Sequence, residues 1–484
     1  MNPKHPRGLY TLFFTEMWER FSYYGMRALL VLFMTDAVRG GLGLTDRTAT
    51  AIYGLYTAAA YLSCLPGGWV ADRLLGAQRS VWYGGIVIAA GHFTLAIPRT
   101  ETFYIGLVLV ALGTGLLKPN ISAIVGGIYP EGGARRDAGF TIFYMGINLG
   151  AAIGPLICGW FGERLNWHYG FGAAGVGMVL GLAQFRLTKT SLGDAGRAPA
   201  QLGRLSRKER VGLIVGCVAI VMAVGLGVTG VIQLNPVSMA RSATALIVGA
   251  AVLYFSVVLV FGGLDGVERR RVAVIVILFL AAALFWAGFE QAGSSFNLFA
   301  ERYTDRALGW LNQTIPASWF QSLGPVFIIT LAPVMASLWM ALSRRGLNPS
   351  LPVKFGLGLV LLGVGFLAMA AASRIVATGR QVWPTWLITT YFVHTIGELC
   401  LSPVGLSSVT KLAPRRFVGQ MMGTWFLAAS LGNMIAGRIA GQFSTDAVSE
   451  MPSQYFQIVI LPAIAGLALI VFKNPIKRWM GGVE

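Results

Sequence analysis

The feature that most constrains this chain is a succession of apolar runs, each about 20 residues or longer, parted by short polar segments. At a helical rise of about 1.5 Å per residue, such a run spans the hydrocarbon of a bilayer. Backbone groups in lipid must find their hydrogen bonds within the segment, so these runs fold as helices. We read fourteen. Six cover residues 9–38, 48–71, 80–98, 102–128, 138–161 and 169–187. Two lie over 211–232 and 242–263, and six more over 272–299, 316–343, 353–373, 383–412, 416–442 and 455–472. The expected fold is an all-α membrane protein with 14 transmembrane helices.

The charge pattern agrees. Only 12% of residues are charged, against about 25% in soluble domains. A net charge of +18 would admit nucleic acid as a partner. The basic residues, however, sit in alternate short loops: Lys4/Arg7, Arg73/Arg79, Arg135/Arg136, Arg186 to Arg210, Arg269–Arg271, Arg344/Arg345/Lys354, Lys411/Arg415/Arg416 and Lys473/Lys477/Arg478. That is the positive-inside pattern, and the lipid bilayer is a sufficient partner for it. No nucleic acid is expected. Both termini are assigned to the cytoplasm, which requires an even number of spans; fourteen satisfies this, as would twelve. The first run carries no small-residue cleavage site and reads as a span rather than a leader. Cys64, Cys158, Cys217 and Cys400 all lie within apolar runs. They read as packing residues, with no disulfide framework.

The order six, two, six suggests four parts: an N-terminal six-helix bundle (1–187), a basic cytoplasmic linker (188–210), an inserted transmembrane hairpin (211–264) and a C-terminal six-helix bundle (265–484). The middle pair has no acidic or basic residue within its spans. Two six-helix halves are a common plan of secondary transporters, with the site at their interface. The 62 glycines suit close packing of helices through small residues.

Well inside the spans stand four carboxylates, Glu16, Glu19, Glu290 and Glu398, joined by three cations, Arg20, Arg27 and Lys118. Facing lipid, seven such groups would cost about 20 kcal/mol, so they must face protein or a wet cavity. At about 100° per residue, Glu16, Glu19, Arg20, Tyr23, Tyr24 and Arg27 fall on one arc of about 140°. Trp286 and Glu290, Tyr144 and Asn148, and Glu398 and Ser402 repeat the spacing i,i+4. Lys118-Pro119-Asn120 sets a cation beside a helix breaker, and Pro155, Pro325, Pro333 and Pro403 are further places to loosen a backbone near a cavity. Four negative charges against three positive leave −1. One proton neutralises the set, and a zwitterionic ligand leaves the sum unchanged. The plain alternative is that these charges only pair to hold helices together.

Particular segments carry a resemblance. Glu16-Met-Trp-Glu19-Arg20-Phe21-Ser-Tyr23-Tyr24-Gly25, Phe143-Tyr144-Met-Gly-Ile147-Asn148-Leu-Gly150 and Gly397-Glu398-Leu-Cys-Leu-Ser402-Pro403 resemble signatures of the proton-dependent oligopeptide transporters. Gly67-Gly68-Trp-Val-Ala-Asp72-Arg73 with Gly76 is similar to a loop motif of the wider major facilitator superfamily. The resemblance implies a bacterial member with the major facilitator fold, moving di- and tripeptides inward with protons across the inner membrane. It implies proton coupling through Glu16, Glu19 and Arg20. Arg27 and Lys118 would attract the peptide carboxylate, and Glu398, helped by Asn148, would receive the amine. Tyr23, Tyr24, Tyr61, Tyr144, Trp286, Ser402 and Trp425 would line the pocket, with Arg27, Lys118 and Glu290 as gating charges and Asp72/Arg73 as a latch. In Gln321-Ser-Leu-Gly324-Pro325, Gly324 departs from the Asn that many relatives carry there, which leaves side-chain preference open.

No metal cluster, nucleophile–base pair or phosphate loop is read, so neither cofactor nor enzymatic activity is expected. A functional monomer is expected. His394, one turn before Glu398, either tunes that carboxylate or is a hydrogen-bonded structural histidine. Two rival functions stand: a facilitator of another substrate such as nitrate, a drug or a sugar derivative, and a membrane enzyme or sensor that transports nothing.

Overall fold

The structure, a computed structural model, describes residues 5–131, 133–197, 206–308, 313–443 and 445–482. Lys4 and residues 198–205 of the expected linker lie outside these. Each of the fourteen apolar runs is largely helical. The first six become α1 (Arg7–Thr35), α2 (Asp46–Leu62) with α3 (Cys64–Val70), α4 (Ala77–Leu95), α5 (Thr100–Gly127), α6 (Gly133–Gly159) and α7 (Trp167–Thr188). The middle two are α8 (Arg207–Val228) and α9 (Pro236–Phe261). Then come α10 (Gly266–Phe289), α11 (Ser295–Tyr303), α12 (Leu323–Arg344), α13 (Leu351–Val376), α14 (Thr385–Leu412), α15 (Val418–Ala440), α16 (Met451–Val471) and α17 (Lys473–Met480). A two-residue antiparallel pair, β1 (Ala307–Leu308) and β2 (Gln313–Thr314), joins α11 to α12.

Among the described residues, ten helical segments are long and apolar enough to cross a membrane. The first helix misses that measure because Glu16, Glu19, Arg20 and Arg27 interrupt its apolar length. It also ends at Thr35 rather than at 38. There the Asp36 carboxylate accepts hydrogen bonds from the backbone N–H groups of Val38 (3.0 Å) and Arg39 and from Trp167 Nε1 (2.6 Å). These bonds hold the chain in a turn. The starts of α8 and α10 carry capping boxes, Ser206 with Glu209 and Asp265 with Glu268.

Two expected single spans are interrupted. The run at 272–299 breaks after Phe289 into a 3-10 turn, Glu290–Gly293, before α11 resumes. Gly293 permits the break to pack: a Cβ there would overlap the Tyr53 ring. The run at 48–71 breaks between α2 and α3 and passes through a π turn, Ala71–Leu75, to Gly76 at φ +76°. Conversely, Lys118-Pro119-Asn120 leaves α5 continuous. Proline at 119 removes the donor for the Gly115 carbonyl. That oxygen faces Gly67 of α3, where a Cβ would overlap it, and Asn120 Nδ2 donates to the Gly67 carbonyl at 3.4 Å.

The chain divides into two compact units, Met1–Gly43 with Ala59–Pro236, and Leu44–Ala58 with Val237–Glu484. In the first, α1 packs on α6 and α7, α4 on α5 and α7, and α3 on α5. Gly150 and Gly154 of α6 lie against the carbonyls of Met17 and Phe21 of α1 so closely that a Cβ would overlap either oxygen. In the second, α13 packs on α14 and α16, and α10 on α15. The glycine pairs Gly356/Gly466 and Gly358/Gly397 set backbone against backbone at the α13 crossings. Along α9 one stripe is buried, Ala240, Thr244, Ile247, Ala251, Phe255 and Val258. Its Phe255 ring meets Phe279 of α10 at 5.5 Å. None of the apolar window of α8 is buried, so this helix offers its surface to lipid.

Candidate functional site

In the first unit the charged arc of α1 is oriented by the opposite face of the same helix. The Phe21 ring sits where a Cβ on Gly177 of α7 would have to be, and the Trp18 Cβ where one on Gly181 would. Docking these side chains on α7 turns Glu16, Glu19 and Arg20 the other way. All three are nearly inaccessible, at 2%, 0% and 2% exposure. Arg20 Nε pairs with Glu19 Oε2 and lies 3.2 Å from Glu16 Oε1. One cation thus serves two carboxylates. Glu16 Oε2, Glu19 Oε1 and Arg20 Nη2 are buried without a hydrogen-bond partner among the described residues. A charge left so incompletely satisfied is expensive in a dry interior, and a proton or an incoming polar group relieves it.

Aromatic faces extend the arc. The Arg20 guanidinium lies 5.1 Å from the Tyr23 ring centre, and Arg27 lies 5.6 Å from that of Tyr24. The two tyrosines meet edge to face at 5.3 Å. Lys118 of α5 sets its ammonium 4.2 Å from the Tyr61 ring of α2. It is within electrostatic reach of Arg20, Glu19, Tyr24 and Cys64. Fold therefore gathers Glu16, Glu19, Arg20, Tyr24, Arg27, Tyr61 and Lys118 from three helices into one neighbourhood. On α6, Asn148 Nδ2 donates to the Tyr144 carbonyl at 2.9 Å, so these two form a local pair.

In the second unit Trp286 and Glu290 sit at the break after α10. Trp286 packs edge-on against Phe285 and Phe289, and its Nε1 is buried without a hydrogen-bond partner among the described residues. Glu398 of α14 is 7% exposed, and its Oε2 is likewise unpartnered. The nearby acid is of the same sign: Glu290 is within electrostatic reach. Ser402 lies half-buried one turn on. Trp425 of α15 covers Gly405, where a Cβ would overlap its ring, and meets Phe355 edge-on at 6.3 Å. Gly324, at the start of α12, faces space: a Cβ there would meet nothing within 4 Å.

His394 is buried among Phe296 and Phe366, and its Nε2 lies 3.0 Å from the Leu362 carbonyl. A Cβ at Gly365 would overlap the ring. One ring nitrogen of His394 is thus engaged by the main chain of α13. Asp72 and Arg73 are exposed and make no ion pair among the described residues. The four cysteines are free. No group of three or more possible metal ligands occurs among the described residues.

Sequence reading missed several polar contacts. Arg302 grips Asp46 with both nitrogens, at 2.6 and 2.8 Å. Both lie at helix ends, where charge is unremarkable in a sequence. Gln291 donates to the Ala436 carbonyl at 3.1 Å and accepts from Ser295 at 2.6 Å. Its position inside an apolar run was a usable signal. Cys64, read only as packing, is within electrostatic reach of Lys118.

Residues 78–458 match the POT family. The chain is 42% identical to a peptide transporter of Yersinia enterocolitica, over 99% of this chain and 96% of that protein. It is 40% identical to a di-/tripeptide transporter of Lactococcus lactis subsp. cremoris, over 99% and 97%. A solved structure of a variant peptide transporter in complex with alafosfalin superposes with a TM-score of 0.90 at 41% identity, over 100% of this chain and 97% of that one. The family match begins after α1, whereas both relatives align across it.

Proposed function

The chain belongs to the POT family, and from that premise we propose that it carries di- and tripeptides into the cell together with protons. As a member of that family it is a multi-pass membrane transporter of the major facilitator type, not an enzyme. Peptide as cargo is supported by the names of the relatives and by the peptide-like ligand of the solved neighbour.

The observation that carries the finer reading is a pair of opposite charge sets, cations in the first unit and an acid in the second. Arg27 and Lys118 stand in the first unit, each beside a tyrosine ring. Glu398 stands in the second with a bare carboxylate oxygen. Peptides of one length share a terminal carboxylate and a terminal amine at a similar separation, whatever their side chains. Cations for one end and an acid for the other recognise that shared frame. Asn148 assists at the amine. Tyr23, Tyr24, Tyr61, Tyr144, Trp286, Ser402 and Trp425 supply walls that accept varied side chains. Proton coupling falls to Glu16, Glu19 and Arg20: with a single cation between two buried acids, a proton on one acid frees Arg20 for the other. Arg27, Lys118 and Glu290 act as gating charges during alternating access.

The proposed organisation is 1–187 and 265–484 as transport bundles, 188–210 as linker and 211–264 as an added hairpin. The protein works as a monomer in the bacterial inner membrane with both termini cytoplasmic. The test is uptake of labelled dialanine into proteoliposomes with and without an inward proton gradient. Gradient-dependent accumulation is expected. Glu19→Gln should abolish accumulation while retaining peptide exchange. Uptake indifferent to the gradient would defeat the symport reading, and loss of both activities in Glu19→Gln would make Glu19 structural.

A further inference from the structure

A second polar feature lies in the first unit, apart from the charge sets above. The residues after α7 form a 3-10 turn, Lys189–Leu192, and then bend at Gly193 (φ +56°) and Gly196 (φ +74°). They are fixed to the unit at several points. Leu192 is buried at 3% exposure, and Thr11 of α1 lies 2.8 Å from the Ser191 hydroxyl. Gln78 at the start of α4 donates its backbone N–H to the Gly196 carbonyl at 2.9 Å and its side-chain amide to the Ala195 carbonyl at 2.7 Å. The beginning of the basic segment is therefore a built wall, docked on α1 and α4.

Between that wall, α4 and α7 lies a cavity of about 430 Å³. This is the size range of sites for small molecules, about 300–1,000 Å³. Four cations line it: Arg79, Arg186, Lys189 and Arg197. Its aromatic floor is Trp82 stacked on Phe185 at 6.4 Å, with Tyr83 alongside. The one acid paired with any of these cations among the described residues is Asp194, 2.7 Å from Arg197. Arg79, Arg186 and Lys189 have no acidic partner there. Three arginines and a lysine thus converge on one hollow, with a single paired acid among the described residues. The forked donors of the arginines match the oxygens of a phosphoryl group, and the lysine adds a point charge. Tryptophan and tyrosine beside them are the residues that settle at headgroup level.

We propose that this cavity is a binding site for a phosphoryl anion, presented by the headgroup of an anionic phospholipid or by free phosphate. The chemistry is shared: Arg79, Arg186 and Lys189 hold the phosphoryl oxygens, while Trp82 and Tyr83 pack against the ester or glycerol carbons. The site is independent of the peptide-binding charges. Occupation would pin the segment after α7 to α4, so the ligand would stabilise the folded unit by mass action.

The test uses full-length, delipidated protein in neutral detergent, with thermal unfolding followed at constant ionic strength. The probes are dioctanoyl phosphatidylglycerol, dioctanoyl phosphatidylcholine and inorganic phosphate, with sodium chloride as control. Phosphatidylglycerol is expected to raise the midpoint. The triple variant Arg79→Gln/Arg186→Gln/Lys189→Gln should require at least about tenfold more of it, the loss of one charge-assisted contact or more. Stabilisation by phosphatidylglycerol alone identifies the lipid as the source. Equal stabilisation by inorganic phosphate identifies a free anion. If neither exceeds the chloride and phosphatidylcholine controls, or if the variant responds as the wild type does, the proposal is overturned. Should the triple variant fail to fold, phenylglyoxal modification of the wild type replaces it. Ligand should then slow modification of Arg79 and Arg186, as read by peptide mass mapping, and binding without that protection overturns the site.

Discussion

At the scale of single residues, the charges inside apolar runs are the groups to which the proposal assigns peptide and proton binding, and their environments differ. Glu398 keeps an unpartnered oxygen. A charge-assisted hydrogen bond to an amine contributes about 1.5–3 kcal/mol. Glu398→Ala should therefore weaken a free-amine dipeptide about 10- to 100-fold in a competition uptake assay. An N-acetylated dipeptide should lose much less, and equal losses would remove Glu398 from the amine site. Gly324 gives the complementary case. Its missing side chain leaves open space, so Gly324→Asn should fold normally. One added neutral hydrogen bond of about 0.5–1.5 kcal/mol would tighten peptide binding roughly 2- to 10-fold. An unfolded variant would contradict the open space, and unchanged affinity would contradict the contact. The charged positions themselves were legible, because an acid or a base inside a span is costly enough to stand out. Their partners were not. Nothing in the sequence tells that His394 spends its nitrogen on the Leu362 carbonyl, 32 residues away, or that Arg302 meets Asp46. Such pairings depend on how helices cross.

At the scale of the element, glycines decide how near two helices come. Gly150 closes one of the segments that carried the family resemblance, and the fold supplies its reason. A Cβ there would overlap the Met17 carbonyl on α1, two residues before Glu19. Gly150→Val should force α1 and α6 apart and destabilise the protein by about 1–3 kcal/mol. It should lower the unfolding midpoint in detergent and depress peptide accumulation together. On α8, Gly216 has nothing within 4 Å, so Gly216→Val should leave both measurements unchanged. Similar effects at the two positions would refute this account of α1–α6 packing. Hydrophobic length made the helices readable. Breaks within them were harder. Pro119 looked like an interruption, yet α5 runs through it, and the side-chain-free Gly67 of α3 leaves room for the freed carbonyl. The run at 272–299 looked continuous, yet it breaks at Glu290, where Gly293 yields room to Tyr53. Local propensity was overridden in both directions by the neighbour.

At the scale of the whole molecule, charge bias makes a prediction about sidedness. The basic loops assign Lys208 to the cytoplasm, and the alternation of spans then places Asp305 outside. In a variant lacking Cys64, Cys158, Cys217 and Cys400, a cysteine at 305 should react with a membrane-impermeant maleimide in intact cells. A cysteine at 208 should react only after permeabilisation. The reverse order, or labelling of both, would overturn the assignment of the termini. The sequence by itself determined that this chain lives in a bilayer, where its helices lie within a few residues and which rare charges it must shelter. Those conclusions follow from free energies that are local and large: transfer of about 20 apolar residues into lipid, and the cost of placing a charge there. Only the tertiary structure decided that Arg20 is shared between Glu16 and Glu19, that Lys118 lies over Tyr61, that Gly324 opens on space and that the segment after α7 folds back to wall a basic cavity. Each of these depends on contacts between residues far apart in the chain, and their geometry is set by packing that no single segment encodes.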